Sequence, residues 1–390
     1  MYLIRRSTME DVPTLLKLAR MVYFINLPPD RDVISQKVIH SRNCFLRVSG
    51  SKREPAQVPS DTGAPPGVSG GYANKGTDLF MFTIEDATSR TCLGTSQLIA
   101  RMGGPGNPNT SLKLEKREKF STVLQTGTSH MVARLHLDES GPTEIGGLIL
   151  QPSARGHRHR LGQFLSFVRF HFIGLHRPLF ADRVLAEMMA RISPDGVSML
   201  WEYLGRRFVP LSYTEADRFC QFSREFIVSL FPHEDIYLSL LPPEARSVVA
   251  EVGPETVPAR RMLEKLGFSH KGFIDPFDGG PYLDAVTDEI TIVRQTRWAV
   301  FAGTARAADC REPALVSSMD ADGEFRAVLS GARCSGDEVR LPRDAVRALN
   351  LEPGERLGIT VSEHFAPRSP SKPRASGVSP ARQTRGRRTP

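Results

Sequence analysis

The sequence predicts a mixed α/β (α+β) fold, in which a sheet with flanking helices is followed by further α/β sequence and a small, mostly β unit. Three observations support this prediction. Helix-type and strand-type patterns alternate over most of the 390 residues, strand patterns dominate after about residue 297, and residues 364–390 contain almost no large apolar side chain. Hydrophobic residues make up 40% and charged residues 24% of the chain, as in an ordinary globular protein.

The first half of the chain predicts short elements around a long insertion. A strand over residues 2–5 precedes a helix that Ser7 or Thr8 can cap, and an antiparallel pair is expected over residues 79–85 and 91–100. The apolar residues of that first helix follow at helical spacing: Val12, Leu15, Leu16, Ala19 and Val22. Residues 50–76 have low complexity and predict a disordered surface insertion, and GGPGNPN at 103–109 predicts a wide loop.

The second half continues the alternation. A buried-type strand over residues 144–150 is followed by a basic loop, a helix over 161–175 and a strand over 183–188. Further helices are expected over 198–206, 215–230, 243–252, 258–266 and 343–349, the last stopped by Pro353-Gly354. The predicted divisions are a first α/β domain (1–212), a second α/β part (213–296), a β-rich unit (297–363) and a disordered basic tail (364–390).

The positive charge is concentrated in the tail. The whole chain has a formal net charge of +8, but seven basic residues and no acidic residue follow residue 363, so residues 1–363 carry only +1. A solubilising terminus is the first interpretation of this tail. Nucleic-acid contact through the tail is not favoured, because spaced charges without aromatic residues give little specificity.

Cysteine usage and hydropathy indicate a cytoplasmic protein without a metal. The five cysteines are isolated, which argues against a disulfide framework and against a Cys-rich zinc site: Cys44, Cys92, Cys220, Cys310 and Cys334. No apolar run approaches the roughly 18 residues that span a bilayer, and the first residues lack a signal-peptide pattern, so we expect no membrane partner.

A basic loop between a strand and a helix predicts an anion site. The strand ends at Pro152, Gly162 opens an apolar helix, and the residues between them are rich in cations: Arg155, His157, Arg158, His159 and Arg160. Free amides and the positive dipole end of a helix N-terminus favour a phosphate there, and Gly162 lets a ligand approach the backbone. Pro152 could splay two strands and open a slot. The alternative is a solvated basic turn before an ordinary helix.

Residues 155–162 resemble the pyrophosphate-binding loop of the GNAT acyl-CoA transferases, R/Q-x-x-G-x-G/A, with Arg160 in place of the first glycine. The opening segment LIRRSTMEDVPTLLKLA is similar to the start of that fold. The resemblance implies a GNAT-like mixed sheet and an acyl-CoA co-substrate.

Longer segments resemble the arginine N-succinyltransferase family. They are VLAEMMARISPDGVSMLWEYLGRRF and VGPETVPARRMLEKLGFSHKGFIDPFDGGPYLDA. The resemblance implies transfer of a succinyl group from succinyl-CoA to the α-amino group of arginine, or of a related amino acid such as ornithine, in arginine catabolism. It also implies an acyl-CoA contact at Leu148 and a possible homo- or hetero-oligomer.

One position departs from the family motif. The family's VHPxTxPA carries a histidine thought to donate a proton, whereas this chain has Gly253 there. The alternative function is therefore a catalytically divergent acyl-CoA-binding relative that acts as a regulatory or partner subunit.

The reaction needs a base, an oxyanion donor and groups that hold the acceptor. An amide near Gly147–Leu148 could stabilise the oxyanion, and Glu187, near the end of its strand, is the first candidate for the base. Glu255 is the second candidate. The alternatives are a structural ion pair for Glu187 and an acid of the first helical turn for Glu255.

Asp275 and Asp278 of DPFDGGP are candidate acceptor-binding residues, because paired carboxylates suit a planar guanidinium. The alternative is a β-turn in which both side chains bind local amides. No metal is expected.

Overall fold

Fifteen strands form one mixed sheet in the part of the chain that the structure, a computed structural model, describes: residues 1–21, 27–58, 76–220 and 222–366. The strands lie in the order β12-β15-β11-β14-β13-β1-β2-β3-β6-β7-β10-β9-β4-β5-β8. Their bounds are β1 (Tyr2–Arg6), β2 (Leu79–Asp86), β3 (Cys92–Ile99), β4 (Asn109–Ser121), β5 (Thr126–Asp138), β6 (Thr143–Leu150), β7 (Arg183–Glu187), β8 (Ile236–Tyr237), β9 (Ser269–Ile274), β10 (Pro281–Val286), β11 (Thr296–Ala305), β12 (Glu312–Met319), β13 (Phe325–Ser335), β14 (Glu338–Pro342) and β15 (Arg356–Val361).

Helices flank this sheet, so the predicted mixed α/β fold is confirmed. The bounds of the α-helices are α1 (Val12–Ala19), α2 (Arg31–Val48), α3 (Leu161–Leu175), α4 (Met199–Tyr203), α5 (Tyr213–Cys220), α6 (Glu225–Leu230), α7 (Pro243–Arg246), α8 (Val257–Glu264), α9 (Thr291–Gln295) and α10 (Arg343–Leu349). None of the helices in the described ranges is long and apolar enough to cross a membrane.

Two large elements were not predicted. Helix α2 buries the polar side chains of Gln36, Lys37 and Ser41, which interrupt the apolar stripe by which an amphipathic helix is recognised. The long β4–β5 hairpin exposes charged residues along the outer half of β4, so its apolar alternation is weak.

Two predicted helices are wrong in extent. The expected helix over 215–230 is two helices, α5 and α6, and the second restarts where the Ser223 hydroxyl accepts from the Glu225 amide. The expected helix over 243–252 ends with α7, because Ala250 takes a left-handed φ of 61° and donates its amide to the Gly279 carbonyl.

The other expected elements are confirmed within a few residues. These are the first strand and helix, the β2–β3 pair, the wide loop at 103–109, β6, α3, β7, α8 and α10. Val22, residues 59–75 and residues 367–390 lie outside the described part of the chain. The domain divisions stay a prediction, and the strands of the β-rich unit join the rest of the sheet through β13 and β1.

The main core lies under α3 and is aromatic. Five phenylalanines with at most 1% exposure meet there, with ring centroids 4.7 to 6.0 Å apart: Phe45, Phe80, Phe82, Phe172 and Phe325. These side chains come from α2, β2, α3 and β13, so the cluster joins distant segments of the chain. Burial of one such side chain is worth roughly 1.5–3 kcal/mol.

Candidate active site

A notch opens in the middle of the sheet between β6 and β7. The two strands are parallel and pair only at Thr143–Val184 and Glu144–Leu185. Beyond these pairs β6 continues along β3 and β7 continues along β10, so the carboxyl ends of β6 and β7 separate. The notch therefore begins at residue 145 of β6 and residue 186 of β7.

A bulge lies at the edge of the notch. Gly147 has a φ of 56°, and a Cβ on it would lie 2.8 Å from the Gln97 side-chain nitrogen, so glycine is required here. The register between β3 and β6 shifts beside it. Leu148, the predicted acyl-CoA contact, follows the bulge and is only partly buried, with its packing against the main core.

The N-terminus of α3 lies at the open end of the notch. Arg160 precedes the helix in a left-handed conformation, with a φ of 50°, and its carbonyl accepts from the amides of Gln163 and Phe164. The amides of Leu161 and Gly162 have no acceptor among the described residues. A Cβ on Gly162 would lie 3.3 Å from Leu150 of β6, so glycine keeps the helix end close to the strand.

The three predicted arginines of this loop have different environments. Arg155 forms an exposed ion pair with Glu255 at 3.4 Å. Arg158 is exposed and donates to the His159 ring at 3.2 Å. Arg160 donates to the Gln163 side chain and to the His364 carbonyl, both at 3.3 Å, and its buried Nε has no partner in the described ranges.

A cavity of about 580 Å³ borders the same loop. Its lining includes the cations Arg158, Arg160 and Arg311 and the imidazole of His159, and it contains no Asp or Glu from the described residues. Burial, followed by the charges of Arg158 and His157, lowers the pKa of His159. The loop is therefore a positively charged surface beside free helix amides.

A polar cluster lies at the end of β7. Asn109, at the start of β4, donates through Nδ2 to Glu187 Oε1 at 3.1 Å. The Oδ1 atom of Asn109 accepts from Arg224. Burial acts to lower the pKa of Arg224, but the charge of Glu187 and of other acidic groups raises it overall. Glu187 thus accepts a hydrogen bond from the Asn109 amide and lies near the half-buried Arg224 guanidinium, at the edge of the notch.

Asp275 and Asp278 lie in a buried turn next to this cluster. Asp275 accepts from the amides of Phe277 and Asp278 at 2.7 and 3.1 Å and from the Tyr282 hydroxyl at 3.2 Å. Asp278 accepts from the amides of Gly280 and Ala190 at 2.7 and 2.9 Å. These contacts join the turn to the chain that leaves β7.

The cluster has an excess of carboxylates. Burial, followed by the charge of Glu187, raises the pKa of Asp275, and burial with the charge of Asp275 raises the pKa of Asp278. Burial and the charge of Asp275 also raise the pKa of Asp217 to about 7, and its Oδ1 has no partner in the described part of the chain. A cation in this region would relieve the repulsion.

Glu255 and Gly253 lie on the other rim, before α8. Glu255 has 73% exposure of its side chain and contacts Arg155, so the structure places it beside the basic loop and not in the polar cluster. Gly253 donates its amide to the Met189 carbonyl, and a Cβ on Gly253 would lie 2.9 Å from the Ala190 carbonyl oxygen.

Three polar residues of this region were missed by sequence reasoning. Asn109 and Arg224 lie 115 residues apart along the chain, and Arg169 lies within the mostly apolar buried face of α3. The signal available for Arg169 was a single charge inside the run FLSFVRFHFIGL, which we did not use. Among the described residues, no three or more His, Cys, Asp or Glu side chains are grouped so as to hold a metal ion.

The comparisons with known proteins agree with this geometry. Residues 67–292 match the family model described as arginine N-succinyltransferase beta subunit. The chain belongs to the arginine N-succinyltransferase family. The family predicted from the sequence is thereby confirmed, and so is the prediction of an acyltransferase.

Two relatives and one solved structure extend the match. The arginine N-succinyltransferase of Photorhabdus laumondii is 33% identical over 282 residues, which cover 72% of this chain and 81% of the relative. That of Yersinia pestis is 31% identical over 303 residues, covering 76% and 85%. The structure of arginine/ornithine succinyltransferase subunit AI from Pseudomonas aeruginosa has a TM-score of 0.72 and 25% identity, covering 93% of this chain and 98% of that chain.

These matches support the predicted function over the catalytically divergent alternative. Membership of an acyltransferase family implies an acyl-CoA co-substrate. The roles of the individual site residues stay predictions.

Proposed function

We propose that this chain transfers the succinyl group of succinyl-CoA to the α-amino group of arginine, as a step of arginine catabolism, within a GNAT-like fold. The observation that carries the proposal is the notch between β6 and β7, with the N-terminus of α3 at its open end. The strand order β1-β2-β3-β6-β7-β10-β9, with one parallel pair at its centre, supports the GNAT-like arrangement.

The basic loop suits the diphosphate of CoA. The amides of Leu161 and Gly162 and the helix dipole provide hydrogen bonds and positive potential. Arg158 is exposed and can turn toward the phosphates, and Arg155 and Arg160 flank the same loop. The pantetheine arm would then enter the notch along Leu148 and Leu150.

Glu187 is proposed as the base for the acceptor amine. The ammonium must lose a proton before nitrogen attacks the thioester carbonyl, and Glu187 lies at the edge of the notch. Its hydrogen bond from Asn109 orients the carboxylate, and Asn109 is itself held by Arg224. An amide at Gly147 or Leu148 would stabilise the oxyanion, and the bond to sulfur would then break.

The carboxylates around Glu187 suit a cationic acceptor. Asp275 and Asp278 bind backbone amides, so we propose that they shape the acceptor pocket and contribute negative potential to it. Glu255 is proposed only as a second candidate base, because it contacts Arg155 at the loop.

A thiol-release assay with succinyl-CoA and a panel of amino acids tests the reaction. We expect CoA release that depends on arginine and a product succinylated on its α-nitrogen. Binding of succinyl-CoA without turnover of any amine would favour the divergent alternative.

Charge reversal tests the docking of CoA. We expect Arg158→Glu to raise the Kd of CoA about tenfold, the value of a lost charge-assisted hydrogen bond. Lys116→Glu on the β4–β5 hairpin is the matched control, since its side chain is exposed and far along the sheet. Equal CoA affinity in wild type and Arg158→Glu would contradict a diphosphate site at this loop.

A further inference from the structure

Arg169 is a buried cation without a carboxylate partner. Its residue is 3% exposed, and in the described part of the chain it donates only to neutral oxygens. Nε donates to the Ser166 carbonyl at 3.1 Å, Nη2 to the Ser166 hydroxyl at 2.7 Å and Nη1 to the Gly146 carbonyl at 3.2 Å. A guanidinium has five N–H groups, so two of them are left over for another acceptor.

The other buried arginine and lysine side chains of the described ranges have acidic neighbours. Arg6 pairs with Glu324, and the charge of Glu144 acts on Lys37. For Arg169, burial alone lowers the pKa, to about 9, and no acidic group offsets it. An uncompensated buried charge is costly, so a binding partner of negative charge would recover part of that cost.

Arg169 lies next to the notch. It lies eight residues beyond the first residue of α3, which is about 12 Å along the helix axis. It binds the carbonyl of Gly146, a partly exposed residue directly before the bulge at Gly147 and two residues beyond the last β6–β7 pair. Arg169 thus adjoins the closed end of the notch, opposite the end where the diphosphate would bind.

When the diphosphate of an acyl-CoA lies at the basic loop, its acyl chain is the part that reaches deepest into the notch. The succinyl group differs from a simple acyl group by a carboxylate at its far end, and that carboxylate would be the part nearest the closed end of the notch. We propose that Arg169 binds the distal carboxylate of the succinyl group and thereby selects succinyl-CoA over uncharged acyl-CoA. This inference rests on the proposed function.

Arg224 is less suited to this role. It is already bound to Asn109, and the charge of Glu187 acts on it. A second carboxylate beside Glu187 would add repulsion in a region that already contains Asp275. Within the described ranges, Arg169 has no carboxylate neighbour.

The test compares two donors of equal chain length. In butyryl-CoA a methyl group replaces the distal carboxylate, so its Kd and kcat/KM with arginine are measured beside those of succinyl-CoA. We expect the wild type to favour succinyl-CoA about 100-fold, the order of a buried ion pair. Equal affinity of the wild type for the two donors would overturn the inference without any variant.

Variants of Arg169 distinguish binding of the distal carboxylate from structural support of β6. Arg169→Gln should lose most of the preference for succinyl-CoA while butyryl-CoA changes little, and Arg169→Lys should retain part of it. Equal losses with both donors would mean that Arg169 only supports the β6 bulge, which overturns the inference. Arg177→Gln is the matched control, because Arg177 follows the same helix and pairs with Asp182 and Asp288 away from the notch.

The binding measurement distinguishes the two proposals. If the wild type binds succinyl-CoA in preference to butyryl-CoA, Arg169→Gln loses that preference and neither donor is transferred, the proposed function fails and the role of Arg169 stands. If it transfers both equally well, acyl transfer stands and the role of Arg169 fails.

Discussion

The aromatic core under α3 and the polar cluster at the end of β7 both involve strands of the same sheet. The side chains of the first are apolar, and those of the second are charged. In the core, the Phe172 ring contacts those of Phe80 and Phe325, and all three side chains are almost fully buried. In the cluster, charged side chains take the place of apolar ones: Glu187 and Arg224 are half-buried, and Asp275 and Asp278 are buried.

The aromatic core stabilises the fold, whereas the polar cluster provides groups that can bind or react. Burial of aromatic area is favourable by itself, whereas buried carboxylates raise the free energy of the fold unless they are bound. The pKa values of Asp217, Asp275 and Asp278 are all raised, which shows that their charged forms are disfavoured there. Such groups are typical of sites that bind or react.

The largest expected effect is on catalysis at the cluster. Glu187→Gln keeps the shape and the contact with Asn109 but removes the base, so kcat/KM for succinyl transfer should fall about 10²–10⁴-fold. Steady-state kinetics measure the fall, and thermal unfolding should show a similar Tm. A kcat/KM within twofold of the wild type would exclude Glu187 as the base.

A substitution in the aromatic core should lower the stability of the fold and leave kcat per folded molecule unchanged. Phe172→Ala removes a side chain with 0% exposure that contacts at least three other rings, and the free energy of unfolding should drop by about 3–5 kcal/mol. Urea unfolding measures this, with kcat per folded molecule as the control. A change below 1 kcal/mol would contradict the central place of this cluster.

A smaller effect is expected on the pH dependence of stability, at the contact of α3 with β12 and β15. His171 bridges the hydroxyls of Ser317 and Thr360 at 2.7 and 2.6 Å, and burial lowers its pKa to about 3. The unfolded state, with a histidine pKa near 6.5, binds a proton that the folded state does not. Stability should therefore fall as the pH drops from about 6.5 toward 3, by up to about 1.4 kcal/mol per pH unit.

Urea unfolding at several pH values measures this slope, and His171→Gln is the reference. The slope should be shallower in the variant by the contribution of one proton. Equal slopes in the two proteins would mean that His171 does not stay neutral in the fold.

The smallest effect is expected at the exposed rim. Glu255→Gln breaks an ion pair of two exposed side chains, which is worth about 0–1 kcal/mol, so the stability and kcat/KM should change little. Initial rates with succinyl-CoA and arginine are the measurement. A loss of more than tenfold would make Glu255, the second candidate, the better base.

The local part of the site could be predicted from the sequence. The loop before α3, Gly162 and the end of β7 at Glu187 follow from patterns of neighbouring residues, and those patterns record hydropathy and turn chemistry. The family motifs were also contiguous in the sequence. The predicted positions of Glu187, Asp275 and Asp278 are close together in the structure, although their roles stay predictions.

The sequence by itself determined the element order around the loop, the basic tail and the family. Only the tertiary structure decided that Asn109 joins Glu187 to Arg224, and that Arg169 is buried beside Gly146 with no carboxylate from the described residues next to it. The physical reason is that periodicity and capping act over a few residues, whereas these contacts join residues 23 to 115 positions apart. Their geometry depends on how β4, β6, β7 and the helices pack on one sheet, and no local pattern contains that information.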